Sequence, residues 1–184
     1  MSFRIVLAAI NAEQVDALHE ARLLLLLRHA AERKDGSIDG ITKLAKMDFL
    51  LRYPVYFERL LNANRRKPAS VAMRPYEKDT VESKMIRFRY GPWDPRYRRW
   101  IGILVAKGLA HTYLKGKTVY IKLTDSGEKI AKVIASDEEF RDLDERSHLI
   151  SKAVGAKSGS WIKDQVYKVV PELSGLRWGK EIDV

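Results

Sequence analysis

Between Arg89 and Trp100 the chain reads RYGPWDPRYRRW, with four arginines, four aromatic residues and two prolines in twelve positions. Guanidinium groups pair with phosphate oxygens and aromatic rings stack on bases, so this mixture is what a nucleic-acid site needs. A protein interface or a capped core helix uses the same residue types. The order of the residues divides the motif. Asp94 is a good N-cap and Pro95 a good first helical residue, so a helix is predicted to start here and run through RYRRWIGILVAKG until Gly108 closes it. On that helix Tyr97, Ile101, Leu104 and Trp100 make the buried stripe, which assigns the aromatics to the core. Arg96, Arg98 and Arg99 are left as candidates for phosphate or base edges, and Lys115 and Lys117, at the tip of a following hairpin, as candidates for the nucleic-acid backbone. A solvated or protein-bound face is the alternative for all five.

Catalytic chemistry finds little support. His19, His29, His111 and His148 each read as a lone, satisfied histidine, and no metal site is predicted. No glycine-rich phosphate loop precedes a helix and no G-x-S-x-G elbow occurs. Glu138, Glu139, Asp142, Asp144 and Glu145 crowd one segment, which reads as a solvated acidic face rather than an acid–base pair. The chain is therefore expected to be no enzyme and to need no cofactor.

A formal net charge of +10 on 184 residues sets up a field that attracts a polyanion before any specific contact forms. The charge is segregated: basic residues are dense over 52–78, 84–99 and 107–132, whereas 137–146 is acidic. Hydrophobic residues at 46% with 32% charged residues describe a folding, globular chain. The absence of cysteine rules out disulfides and thiol chemistry and fits a cytoplasmic setting. The apolar runs are too short for a secretory signal or a membrane span, so no membrane association is expected.

The elements that must position these residues follow from local signals. Asn11 and Gln14 make a capping box for a first helix, whose apolar positions Val15, Leu18, Leu23, Leu26 and Leu27 carry it to Arg33. KDGSIDG is a turn with a strand stub at 37–39. ITKLAKMDFLLRY is a second helix stopped at Tyr53 by Pro54, which in turn begins a third, PVYFERLLNAN. Residues 64–84 read as a loop or mobile insertion, and Met85–Tyr90 as a short strand. After the arginine-bearing helix come two alternating runs, Leu109–Leu114 and Thr118–Leu123, around Lys115-Gly116-Lys117, hence a hairpin. Thr124 or Asp125 caps a further helix, the charged segment 137–152 continues as helix, and Trp161–Val170 is a short helix stopped by Pro171. The apolar tail beyond it is expected to pack back on the domain, with exposure to a partner as the alternative.

Helix, turn, helix, a later helix ending in glycine, a hairpin with a basic tip and a closing helix are the plan of a winged helix-turn-helix. The fold class is thus mainly α with a β-hairpin wing (α+β), a winged-helix domain over 1–135 and a C-terminal helical extension over 136–184. In such domains the helix before the hairpin enters the major groove and the wing touches flanking backbone. The same fold also docks proteins, so the plan alone does not decide function.

Three blocks add a resemblance: GITKLAKMDFLLRYP (Gly40–Pro54), RYGPWD (Arg89–Asp94) and WGKEI (Trp178–Ile182). With them most of the chain resembles the middle component of bacterial ABC-three-component defence systems, the group that includes Lamassu. The resemblance implies a winged-helix accessory subunit with no catalytic residues, assembled with an SMC- or Rad50-like ATPase and a separate effector to sense foreign double-stranded DNA. The acidic helix would serve docking to the ATPase. The rival is a free-standing transcriptional repressor acting as a homodimer, with two recognition helices about one turn of DNA apart; a docking module that never touches DNA is the third reading.

Overall fold

The structure, a computed structural model, describes residues 16–64, 70–78 and 84–183. The capping box at Asn11 and Gln14 lies outside them. The central element is α1 (Asp16–Ala31), whose run Leu23–Leu27 is buried on every side. A helix apolar all round is surrounded by other elements, and here its neighbours are α2 (Ile41–Arg52), α4 (Tyr97–Ala106), α5 (Asp125–Ser136) and α6 (Arg141–Val154). Tyr53 closes α2 by donating its amide to Phe49 O across 2.9 Å, and Pro54 opens α3 (Pro54–Asn64), where its missing N–H costs nothing.

The fold is mainly helical with a small antiparallel sheet. Strands β1 (Ile38–Asp39), β4 (Ala110–Lys115) and β5 (Thr118–Leu123) assemble in the order β1-β5-β4, with Ile38 opposite Ile121. The two-residue turn Gly116-Lys117 suits its glycine, φ 62, at the first central position. Upstream, α4 ends in a Schellman pair: Leu109 N donates to Leu104 O and Gly108 N to Val105 O, both 2.9 Å, with Gly108 at φ 67. The Thr124 side chain joins the next junction, accepting from Gly127 N at 3.0 Å and donating to Gly108 O at 2.6 Å. Helix α5 therefore starts against the end of α4.

Several expectations need correction. The helix of the arginine motif starts at Tyr97, two residues after Pro95, because Pro95 and Arg96 form a turn closed by Tyr97 N donating to Asp94 O at 3.3 Å, while the Asp94 carboxylate accepts from Arg96 N at 3.0 Å. The strand expected over Met85–Tyr90 is shorter and forms one arm of a second hairpin, β2 (Ile86–Phe88) with β3 (Gly91–Trp93). The acidic segment is not one continuation: Asp137, at ψ 132, breaks α5 and caps a 3-10 turn, Glu138–Phe140, before α6. Within the supposed insertion at 64–84, residues 70–78 are docked. Val71 is buried, and Arg146 donates to Ala72 O and to both carboxylate oxygens of Glu77, at 2.9 Å each, fixing the 3-10 turn Pro75–Lys78.

The C-terminal helices α7 (Gly159–Val169) and α8 (Glu172–Gly175) join the same core: Ile150, Val154, Ile162, Val166 and Leu173 pack in one cluster with the leucines of α1 and α2. The tail does pack back. Lys180 O accepts from Arg87 N and Met85 O from Ile182 N, both at 2.8 Å, while Tyr53 donates its hydroxyl to Ile182 O.

Candidate nucleic-acid interface

Helix α4 is held by polar groups as much as by its apolar stripe. Tyr97 and Trp100 are fully buried, as the helical spacing requires. The Tyr97 hydroxyl donates to Asp48 of α2 at 2.6 Å, and Trp100 Nε1 donates to Asp16 at the start of α1 at 2.9 Å. Trp100 also stacks on His19, ring centroids 4.1 Å apart. Against the rings of Tyr97 and Trp100 lies the guanidinium of Arg52, paired with Asp48 at 2.6 Å and Asp94 at 3.1 Å. Burial alone would push the Asp48 carboxyl up, but Arg52, Arg22 and the tyrosine hydrogen bond outweigh it and hold it below the ordinary carboxylate range. Burial and the adjacent Asp48 charge drive the Tyr97 phenol well above its usual value, so it stays a donor.

The three candidate arginines have different fates. Arg96 folds onto Asp94, Nε to Oδ1 at 3.0 Å and Nη2 to Oδ2 at 2.9 Å, with its guanidinium over the Trp100 ring. Arg99 reaches Asp16 at 2.5 Å while remaining largely in solvent. Arg98 is exposed and has no ion-pair partner among the described residues; it lines a cleft with Thr42, Phe88, Tyr90, Pro92 and Trp93. Beyond it the outward face of α4 is smooth, with Gly102, Val105 and Ala106 exposed.

Lys115 and Lys117 are likewise exposed and without ion-pair partners among the described residues. Alternation along β4 and β5 puts His111, Tyr113 and Lys115 on the same face as Thr118, Tyr120 and Lys122, since Tyr113 pairs with Tyr120 and His111 with Lys122. The two tyrosine rings stack at 5.2 Å. Only Lys115 of this face was singled out from sequence; the period-two pattern could have supplied Tyr113, Tyr120 and Lys122. Gly40 connects the hairpin to the cleft. Its amide donates to Val119 O at 2.8 Å, and a Cβ on it would lie 3.9 Å from Thr42 Oγ1 and 4.0 Å from the Thr118 methyl. Thr42 itself lines the cleft beside Arg98. The basic hairpin face and the cleft thus adjoin.

Positive charge also lies behind the cleft. Gly91, in its wall, faces Lys46 and Lys163. Burial, and then repulsion from Lys163, lower Lys46 from 10.5 to about 8, while its ammonium donates to Thr42 O at 3.2 Å. An anion in the cleft would relieve that repulsion.

The histidines and acidic residues depart from their sequence reading. His29 and His148 do not stand alone: packing of α6 on α1 brings them together with Glu32 and Asp144, although the two histidines are 119 positions apart. The acidic face is partly consumed inside the molecule, since Asp142 pairs with Arg74 at 3.1 Å and Asp144 with Arg28 at 2.9 Å. No described helix is long and apolar enough to cross a membrane. Comparison with family models, curated proteins and solved structures finds no significant match for the chain.

Proposed function

We propose that this chain is a non-catalytic winged-helix subunit that binds double-stranded DNA through α4 and the β4–β5 wing and docks on an SMC- or Rad50-like ATPase of a defence complex. The winged-helix reading draws support from the strand order β1-β5-β4, in which a stub between the first two helices pairs with the second wing strand. The observation that carries the DNA reading is a set of exposed cations without ion-pair partners among the described residues: Arg98 at the start of α4, in the cleft that adjoins the wing through Gly40, and Lys115, Lys117 and Lys122 on the wing with Tyr113 and Tyr120. The exposed Gly102 and Ala106 let α4 approach a groove closely, and these cations give up no ion pair among the described residues on meeting phosphate.

For ATPase docking, Ile130 and Val133 favour α5 over the acidic segment. They lie three residues apart, on one helical face, and remain 43% and 65% exposed.

DNA affinity of the combined variant Arg98→Glu, Lys115→Glu and Lys117→Glu tests the DNA reading. Loss of three phosphate contacts is expected to reduce the slope of log affinity against log salt by about 3. An unchanged slope would reject DNA binding through this surface. Co-purification with an SMC-like ATPase encoded beside it tests the assembly. Failure at low salt, combined with DNA binding by a homodimer, would favour the repressor.

A further inference from the structure

We infer that His29, Glu32 and His148 form a binding site for a divalent transition-metal ion of the zinc class. Potential ligand atoms of three residues converge there. His29 Nδ1 lies 3.2 Å from Glu32 Oε1 and 3.3 Å from His148 Nδ1, and His148 Nδ1 lies 3.6 Å from Glu32 Oε2. Around a tetrahedral ion with bonds of 2.0–2.1 Å, adjacent ligand atoms stand roughly 3.3–3.4 Å apart. The separations from His29 fall close to that edge, and that from His148 to the other oxygen of the Glu32 carboxylate is slightly longer.

The second observation concerns the far nitrogen of the His29 ring. Its Nε2 lies 2.7 Å from Asp144 Oδ1, a distance that a carboxylate reaches only with an N–H between them. A ring that keeps its proton on Nε2, against Asp144, leaves the Nδ1 lone pair facing Glu32 and His148. A carboxylate holding the outer nitrogen of a ligating imidazole is the usual support of a metal-bound histidine. Asp144 is itself fixed by Arg28, 2.9 Å away. Arg28 Nη1 is also 3.0 Å from His29 Nε2, the ring nitrogen remote from the three ligand atoms.

Chemistry of the donors selects the ion. Two imidazoles and one carboxylate suit zinc, cobalt or nickel, whereas magnesium and calcium want oxygen ligands throughout. The chain has no cysteine to compete for the ion. Access is open: His29 is buried at 4%, but His148 and Glu32 are 39% and 49% exposed, leaving the fourth position to water. Because His29 belongs to α1 and His148 to α6, a bound ion ties the central helix to the acidic one.

The test uses untagged full-length chain stripped with a chelator. Cobalt(II) is expected to give the intense visible bands of a tetrahedral site with one equivalent bound, and zinc to displace it and raise Tm. Glu32→Gln and His148→Ala alter surface groups, so both should fold. Each is expected to lower zinc affinity by more than about 100-fold, since loss of an outer carboxylate such as Asp144→Asn already costs about 10–100-fold. His111→Ala, distant on the wing, should bind as wild type does. Absence of stoichiometric binding at micromolar metal would overturn the proposal. So would wild-type zinc affinity in both Glu32→Gln and His148→Ala, which would place the ion elsewhere.

Discussion

The hydroxyl of Tyr97 and the carboxylate of Asp48 meet at 2.6 Å with neither residue exposed to solvent, which joins α4 to α2 through a buried charge. That charge also neutralises Arg52, so the two ends of the contact carry different weight. Tyr97→Phe removes one donor and keeps the ion pair, and is expected to cost about 1–3 kcal/mol. Asp48→Ala leaves buried guanidinium groups short of a counter-charge and should cost about 3–5 kcal/mol. Urea unfolding of the two variants at neutral pH checks the order.

Lys46 makes stability depend on alkaline pH with an uncommon sign. The unfolded chain keeps this proton up to 10.5, whereas the folded chain releases it from about 8. Between those values the unfolded state binds more protons, so the penalty for burying the ammonium is complete below pH 8 and fades as pH rises. Lys46→Met is accordingly expected to exceed wild type in stability at pH 7 by about 1–3 kcal/mol, with the gap shrinking by about 1–2 kcal/mol at pH 9.5. Denaturant titrations of both proteins at the two pH values measure this. A constant gap would mean that Lys46 keeps its proton throughout.

Gly127 reports on the junction of α4, the wing and α5. A Cβ there would stand 1.8 Å from Leu109 O. Alanine is ordinarily the better helix former by about 1 kcal/mol, but here the backbone itself must move. Gly127→Ala is expected to lose at least about 2 kcal/mol and to lower Tm, and a neutral result would show the junction to be pliable.

Boundaries set by local chemistry were legible without coordinates. Pro54 between α2 and α3, Gly108 after α4, Thr124 before α5 and the glycine turn of the wing all act within a few residues of themselves. Features made by distant partners were not legible. Strand β3 opens on the pair Gly91-Pro92, residue types that carry no strand signal of their own, and its hairpin is completed by Lys180 and Ile182 from the tail. Among the candidate site residues, spacing identified five cations but could not foresee that Asp94 and Asp16 would engage Arg96 and Arg99 while Arg98 kept its charge free of any partner among the described residues. The clustering of His29 with His148 has the same origin, since helix packing alone sets it.

The hydrogen bond from Tyr53 to Ile182 spans 129 positions, and the amide of Met85, which donates to that same tyrosine oxygen, depends on it too. During synthesis Tyr53 leaves the ribosome long before its acceptor exists. Until Ile182 has been made, Tyr53 beyond the end of α2 lacks its acceptor, and closing so long a loop carries its entropy cost late. Residues 180–182 therefore act as a late latch: the contacts around Tyr53 and Met85 close only once this segment has been made.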